Sequence, residues 1–315
     1  MRIVFFGTPD FAVASLKAMI EDGRNVVAVV TAPDKPSGRG HKLQPSPVKQ
    51  YAVSQGVPVL QPANLKEDGF VETLRSYQAD VQIVVAFRML PEVVWDMPPK
   101  GTFNVHASLL PEYRGAAPIN WAIINGEQRT GVTTFKLQHA IDTGSILLQE
   151  AVEIGLNETV GELYERLMHK GAKLLLRSLD QLSTGDFQLK AQPQQISKHA
   201  PKIYKDDCRI DTSKTAKEVH DFIRGMSPFP GAFIEVEIDG GSAQRWKIIK
   251  THAPAVKRVG TGLFRIDGKR LVLNASDAAI EVREIQVPGK PKMDALSFIN
   301  GFKTQVLKAK EATHT

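Results

Sequence analysis

Arg2-Ile-Val-Phe-Phe6, Asn25-Val-Val-Ala-Val-Val-Thr31, Val81-Gln-Ile-Val-Val-Ala86 and Thr102-Phe-Asn-Val-His106 together decide the fold. Each is a short run of β-branched and aromatic residues, and the first three are apolar almost throughout rather than alternating. Such runs are strands covered on both faces, the state of a parallel sheet between layers of helices. The chain between them agrees. Gly7-Thr8-Pro9 breaks the first run, and Pro9 suits the first turn of a helix reaching Glu21. A further strand is expected over Val132–Leu137 and a long helix over 158–184, with Gly171 as its weak point. The first half therefore reads as α/β: an open, mostly parallel, Rossmann-like sheet with helices on both faces. Its active site is expected near the carboxyl ends of the strands. Gly7-Thr8-Pro9 is not a dinucleotide fingerprint, because no Gly-x-Gly-x-x-Gly follows the strand.

Beyond residue 183 the character changes. Ser183–Lys205 is polar, with Gly, Pro and several glutamines, and reads as a linker. A helical segment at Ala216–Arg224 follows. Short runs at Ala232–Ile238, Trp246–Thr251, Leu263–Ile266 and Leu271–Leu273 are then separated by turn signals such as Asp239-Gly240-Gly241 and Asp267-Gly268. That pattern suits a small, OB-like β-barrel. The expected organisation is a catalytic domain over 1–189, a linker over 190–205 and a β-barrel domain over 206–315.

Composition narrows the classes. Of 315 residues, 42% are hydrophobic and 23% charged, enough apolar material for a core. No apolar run approaches the roughly 18 residues of a membrane span, and Met1–Gly7 is not a signal peptide, so a cytoplasmic chain with no membrane partner is expected. The single cysteine, Cys208, excludes a disulfide framework. None of the eight histidines has zinc-ligand spacing with another, so no metal is expected. The net charge of +6 lies wholly in residues 208–315, with 18 Lys and Arg against 12 Asp and Glu, while residues 1–207 carry 22 of each. A basic last third suits contact with a polyanion, or is simply a solvated surface.

Chemistry concentrates at Phe103-Asn104-Val105-His106. Asn104 and His106 are two apart in a strand and so share a face, with Phe103 and Val105 on the other. Asn can donate N–H to a developing oxyanion, and His can move the proton of an attacking amine. Asp142, in the turn Ala140-Ile-Asp-Thr-Gly144, could orient such a histidine. In most proteins a strand Asn-x-His pair serves packing and a turn Asp serves its turn, and these residues alone leave both readings open. Pro33–Lys49 is a long loop bearing Pro, Gly and the cations Lys35, Arg39, Lys42 and Lys49. Loops of this length inside an α/β domain are functional or solvated, and Gly38-Arg39-Gly40 offers a guanidinium on a flexible tip.

A resemblance joins these pieces. FNVHASLLPEYRGAAPINWAI at 103–123, TGVT at 130–133 and IDTGSIL at 141–147 closely resemble the folate-dependent formyltransferases. FFGTPDFA at 5–12, PDKPSGRGHKLQPSPVK at 33–49, PKIYKDDCRID at 201–211 and SPFPGAF at 227–233 resemble the branch that formylates the methionine carried by initiator tRNA. The likeness runs from Arg2 to about Phe302.

The resemblance implies that Asn104, His106 and Asp142 form the catalytic trio. It implies that Ser108, Leu109, Leu110 and Pro111 line the folate site, with the loop at Phe87 and Arg88 holding the pterin through its backbone. It implies that Lys35, Arg39 and Lys42 meet the tRNA acceptor end, and that the 206–315 domain binds tRNA. The donor would be 10-formyltetrahydrofolate and the acceptor initiator methionyl-tRNA, in translation initiation. Two positions depart from the family pattern. Ala86-Phe87-Arg88 stands where Ala-Tyr-Gly is usual, and Thr212 where Trp is usual. The rival readings are a formyltransferase acting on a purine precursor or an amino sugar, a folate hydrolase, and a non-catalytic RNA-binding protein.

Overall fold

The computed structural model describes residues 1–37, 42–195, 198–258, 260 and 262–311. These pack as two compact units that are not contiguous in sequence. The first holds Met1–Pro118, Thr130–Val152 and Tyr164–His199; the second holds Ile119–Arg129, Glu153–Leu163 and Ala200–Thr315.

The first unit is built on a seven-stranded sheet. Its strands lie in the order Ile146–Glu153, Arg129–Lys136, Thr102–His106, Val81–Val85, Arg2–Gly7, Asn25–Val30, Val59–Leu60. The five from Thr102–His106 to Val59–Leu60 pair in parallel. Thr102–His106 meets Arg129–Lys136 antiparallel. The parallel, doubly covered character follows from the unbroken apolar runs: Phe5, Phe6, Ile83, Phe103 and Phe135 are all fully buried. The edge strand Ile146–Glu153 escaped the sequence reading because Gln149, Glu150 and Glu153 interrupt its apolar pattern.

The helix expected over 158–184 is Val160–Thr184, and Gly171 does not break it. A Cβ at 171 would sit 3.1 Å from Val105 Cγ1, so the glycine lets this helix lie close against the strand that carries Asn104 and His106. Phe103 and Val105 are buried on that strand, each burial contributing about 1.5–3 kcal/mol, which fixes the opposite facing of the polar pair. The expected helix after Pro9 is Asp10–Glu21, with Pro9 as its N-cap.

The second unit carries an antiparallel sheet. Its strand path is Phe264–Asp267, Arg270–Asn274, Ala279–Gln286, Gln244–Val256, Phe233–Ile238, Ala309–Glu311, with Met293–Asp294 paired beside Ala279–Gln286. Among the described residues no ladder joins the two ends of this path, so the small barrel read from the sequence is an open one. Trp246 centres the core, with ring centroids 5.7 Å from Phe264 and 5.3 Å from Phe298.

The helix Ala216–Met226 starts on a capping box between Thr215 and Glu218. It also anchors the stretch 153–163. Arg224 donates to the carbonyls of Gly155 and Glu158, and His220 Nε2 lies 3.1 Å from the Leu156 carbonyl. Cys208 is buried, and burial pushes its thiol up.

His220 gives a testable pH dependence. Its ring lies between the Leu156 carbonyl and Thr251 Oγ1, the latter 2.7 Å away. Burial pulls its pKa below the ordinary imidazole value of 6.5, against the Leu156 carbonyl and Asp221, which favour the proton, and with Arg224 and His252, which oppose it. The folded state therefore disfavours the proton that the unfolded chain accepts. The stability this confers is present above pH 6.5 and is lost as the pH falls below it. Thermal midpoints measured from pH 8 to 5 should fall in this window, and less so in His220→Gln. An identical fall in that variant would assign the acid sensitivity elsewhere.

Candidate active site

The strand Thr102–His106 delivers two polar side chains at the carboxyl end of the sheet, flanked by Val81–Val85 and Arg129–Lys136. His106 is 6% exposed. Its Nε2 lies 2.9 Å from the Tyr113 carbonyl, and since a carbonyl only accepts, Nε2 carries the hydrogen. Nδ1 then holds the free lone pair of the neutral ring. That nitrogen faces Asp142, whose Oδ2 is 3.8 Å away. The Tyr113 carbonyl thus sets the tautomer, while Asp142, read from the sequence as a group that could orient the ring, faces it at the other nitrogen. Asn104 Oδ1 is buried without a hydrogen-bond partner, as expected of an amide whose partner arrives with a ligand.

Asp142 approaches from its own turn. It adopts a positive φ of 55°, a strained angle for a residue with a Cβ. Its Oδ2 accepts from the Gly115 N–H at 2.9 Å, and its carbonyl accepts from Gln192 at 3.0 Å. His106 and Asp142 therefore do come together, from a strand end and a turn 36 residues further on, while Asn104 precedes His106 by two residues on the same strand.

Ser108–Pro111 continues from the strand as a tightly held corner with a cis Leu110-Pro111 bond. The Ser108 hydroxyl donates to the Glu112 carbonyl, and Thr133 Oγ1 donates to the Ser108 carbonyl. Gln149 donates to the Leu110 carbonyl. The side chains of Ser108 and Leu110 are buried, Leu110 packing with Phe135 and Ile146, while Leu109 and Pro111 are half-buried.

In the loop after Val81–Val85, the left-handed angle falls on Ala86, with φ 47°, and not on Arg88. Arginine in place of the usual glycine therefore meets no such strain. Instead its guanidinium donates to the carbonyls of Ala63 at 2.9 Å and Pro62 at 2.5 Å, tying the loop to 62–63. Phe87 is half-buried, edge-on to Phe6 at 5.7 Å.

Within the basic loop, Lys35–Ser37 and Lys42–Gln44 pair antiparallel, which the loop reading did not anticipate. Asp34 anchors its base by a 2.7 Å pair with Lys49, reinforced by Gln61, and these bonds hold its carboxyl below the usual range. Lys35 is exposed, Lys42 stands in the returning strand, and Arg39 lies outside the described residues.

Beside Asp142 lies an open cavity of about 580 Å³, lined by Arg114, Gly115, Ile141, Thr143, Gln194, Gln195 and His199. Tyr113, Arg114, Gln192 and Thr133 were not foreseen. Tyr113 acts through its carbonyl, which no side-chain pattern reveals, and Gln192 lies in the stretch read as linker. In the second unit several cations are neutralised locally. Arg245 bonds Glu235 at 2.9 Å and covers the Phe233 ring, Arg270 pairs with Asp267, and Lys250 lies 3.7 Å from Glu162. Thr212, where tryptophan is usual, donates its hydroxyl to Glu311 at 2.6 Å. Among the described residues no helix is long and apolar enough to cross a membrane.

Comparison with known proteins gives this geometry its context. Residues 1–179 match the Formyl transferase model, and residues 202–303 match the model Formyl transferase, C-terminal domain. The methionyl-tRNA formyltransferase of Bacteroides fragilis is 48% identical over 310 residues, covering 96% of this chain and 95% of its own. That of Porphyromonas gingivalis is 50% identical, covering 96% of each chain. Among solved structures, an N-formyltransferase from Helicobacter canadensis in complex with folinic acid and dTDP-3-aminofucose has a TM-score of 0.66 at 22% identity. It covers 89% of this chain and 98% of its own. HypX from Aquifex aeolicus in complex with tetrahydrofolic acid has the same TM-score at 18% identity, covering 99% of this chain and 48% of its own. These two establish the fold, and the sequence matches establish more: the chain belongs to the formyl transferase family.

Proposed function

We propose that this protein transfers the formyl group of 10-formyltetrahydrofolate to the α-amino group of methionine on initiator tRNA, in the cytoplasm. The observation that carries the reading is the likeness, about half of all positions over nearly the whole of both chains, to proteins that bear that activity in their names. The folates held by its structural neighbours support the donor class.

The donor supplies the formyl carbon. The attacking α-amino group has a pKa near ~7.7–8, so much of it is neutral at physiological pH. The chain must then stabilise negative charge on the formyl oxygen and take up a proton. Asn104 donates its amide N–H to that oxygen, and its Oδ1, which has no internal partner, is left to accept from the attacking amine. His106 takes the amine's proton at Nδ1; as the tetrahedral intermediate collapses, the bond from the formyl carbon to N10 breaks and N10 of tetrahydrofolate takes that proton as it leaves. While protonated, the ring keeps its Nε2–H on the Tyr113 carbonyl, and its positive charge faces the Asp142 carboxylate 3.8 Å from Nδ1. Ser108–Pro111 and the Phe87-Arg88 loop hold the donor, mainly through backbone, since Ser108 and Leu110 turn their side chains inward.

Lys35, Arg39 and Lys42 meet the acceptor end of the tRNA, and the basic 206–315 part attracts its backbone. The stretch 1–189 supplies the catalytic residues, and 190–205 is the stretch of chain that leads from it to the basic part. Arg39→Ala should raise the Michaelis constant for tRNA on the order of tenfold, the worth of one charge-assisted hydrogen bond, with folate affinity unchanged. Arg39→Lys should restore only part, because the planar fork is lost. Parental kinetics in both variants would remove the loop from the RNA interface. Formate release measured without acceptor separates transfer from hydrolysis. Transfer predicts negligible release until charged tRNA is added, and release at the full rate would support a hydrolase instead.

A further inference from the structure

The turn bearing Asp142 is braced by a side chain that does not face the reacting groups. Gln192 Nε2 donates to the Asp142 carbonyl at 3.0 Å and to the Gly144 carbonyl at 2.7 Å. Its Oε1 accepts from Arg114 Nε at 3.2 Å and Nη2 at 2.8 Å. Only one orientation of the amide satisfies these partners. Turned over, it would set N–H groups against a guanidinium and an oxygen against two carbonyls. Arg114 is buried and makes a further bond to the Pro193 carbonyl. Its chain neighbour Gly115 supplies the N–H that holds Asp142 Oδ2. The contacts thus form a closed circuit: the Asp142 carboxylate, Gly115, Arg114, the Gln192 amide and the Asp142 backbone. Because Asp142 adopts a positive φ, its placement depends on what surrounds it, and Gln192 grips the carbonyls on both sides of Thr143.

We propose that Gln192 is a positioning residue for formyl transfer, holding Asp142 at its distance from His106 through the 142–144 turn and Arg114. The inference rests on the reading of Asn104, His106 and Asp142 as the catalytic trio. It moves a residue from the expected linker into the support of the active site.

The test is single-turnover transfer to initiator methionyl-tRNA with enzyme in excess. The variants are Gln192→Ala, Gln192→Glu, Asp142→Ala and the two doubles. A displacement of about 1 Å costs on the order of a hundredfold in rate, so Gln192→Ala should lose roughly ten- to a hundredfold with Michaelis constants little changed. Gln192→Glu keeps an oxygen for Arg114 and the bulk of the side chain, but has no N–H for the two carbonyls. It should fall nearly as far, and it carries the test if the alanine protein does not fold. In the Asp142→Ala background neither substitution should lower the rate further, because the group that Gln192 places is gone. Parental rates in the Gln192 variants, or their full loss repeated on Asp142→Ala, overturn the proposal. A fully active Asp142→Ala protein overturns the trio instead, so the two failures are distinct.

Discussion

His106→Ala should lower formyl transfer by about 10²–10⁴-fold, the usual worth of a positioned proton-transfer group. The fold should survive. The ring sits at a strand end and its one strong bond is to a backbone carbonyl, while the packing of that strand lies on the Phe103 and Val105 face. Thermal midpoints should therefore change little while turnover collapses. Asn104→Ala should cost about 10²–10³-fold as a lost oxyanion donor. The double variant should lose much less than the product of the two, since groups acting on one transition state are not independent. Near-parental turnover in a folded His106→Ala protein would contradict the mechanism.

Gly144→Ala should damage both activity and stability. A Cβ at this position would lie 1.6 Å from the Lys136 carbonyl oxygen and 2.8 Å from its carbon, so backbone itself must move. The Gly144 carbonyl also accepts from Gln192, and Asp142 is two residues away in the same turn. Displacing the turn by about 1 Å should cost on the order of a hundredfold in turnover. The thermal midpoint should fall as well, which separates this variant from His106→Ala. A stable, active Gly144→Ala protein would mean that the turn tolerates movement and that Asp142 is not held to a narrow position.

What the sequence revealed follows from how local each signal is. Nearly continuous apolar runs such as VQIVV at 81–85 report burial on both faces, the state of a strand in a covered parallel sheet. Asn104 and His106 were legible as a same-face pair for the same local reason, the two-residue period of a strand. Asp142 could be joined to them only by resemblance, since its approach depends on a turn whose shape rests on Gly144, Gln192 and a positive φ at its own position. Tyr113 and Gln192 were invisible because they act through a carbonyl and through a contact 50 residues away. The segments 119–129 and 153–163 join the second unit by side chains of one distant helix, His220 and Arg224 holding 155–158 and the Gly225 carbonyl taking Asn120. Linear composition cannot report such contacts, and so a single cut near residue 189 was the natural reading of the chain.

The central claim is the identity of the acceptor, and transfer of labelled formyl from 10-formyltetrahydrofolate measures it most directly. Charged initiator tRNA, free methionine, a purine precursor and an amino sugar nucleotide would be offered in parallel. The account predicts label on the methionine of the charged tRNA alone, and its loss in His106→Ala. Label on a small amine, with charged tRNA left unmodified, would contradict it.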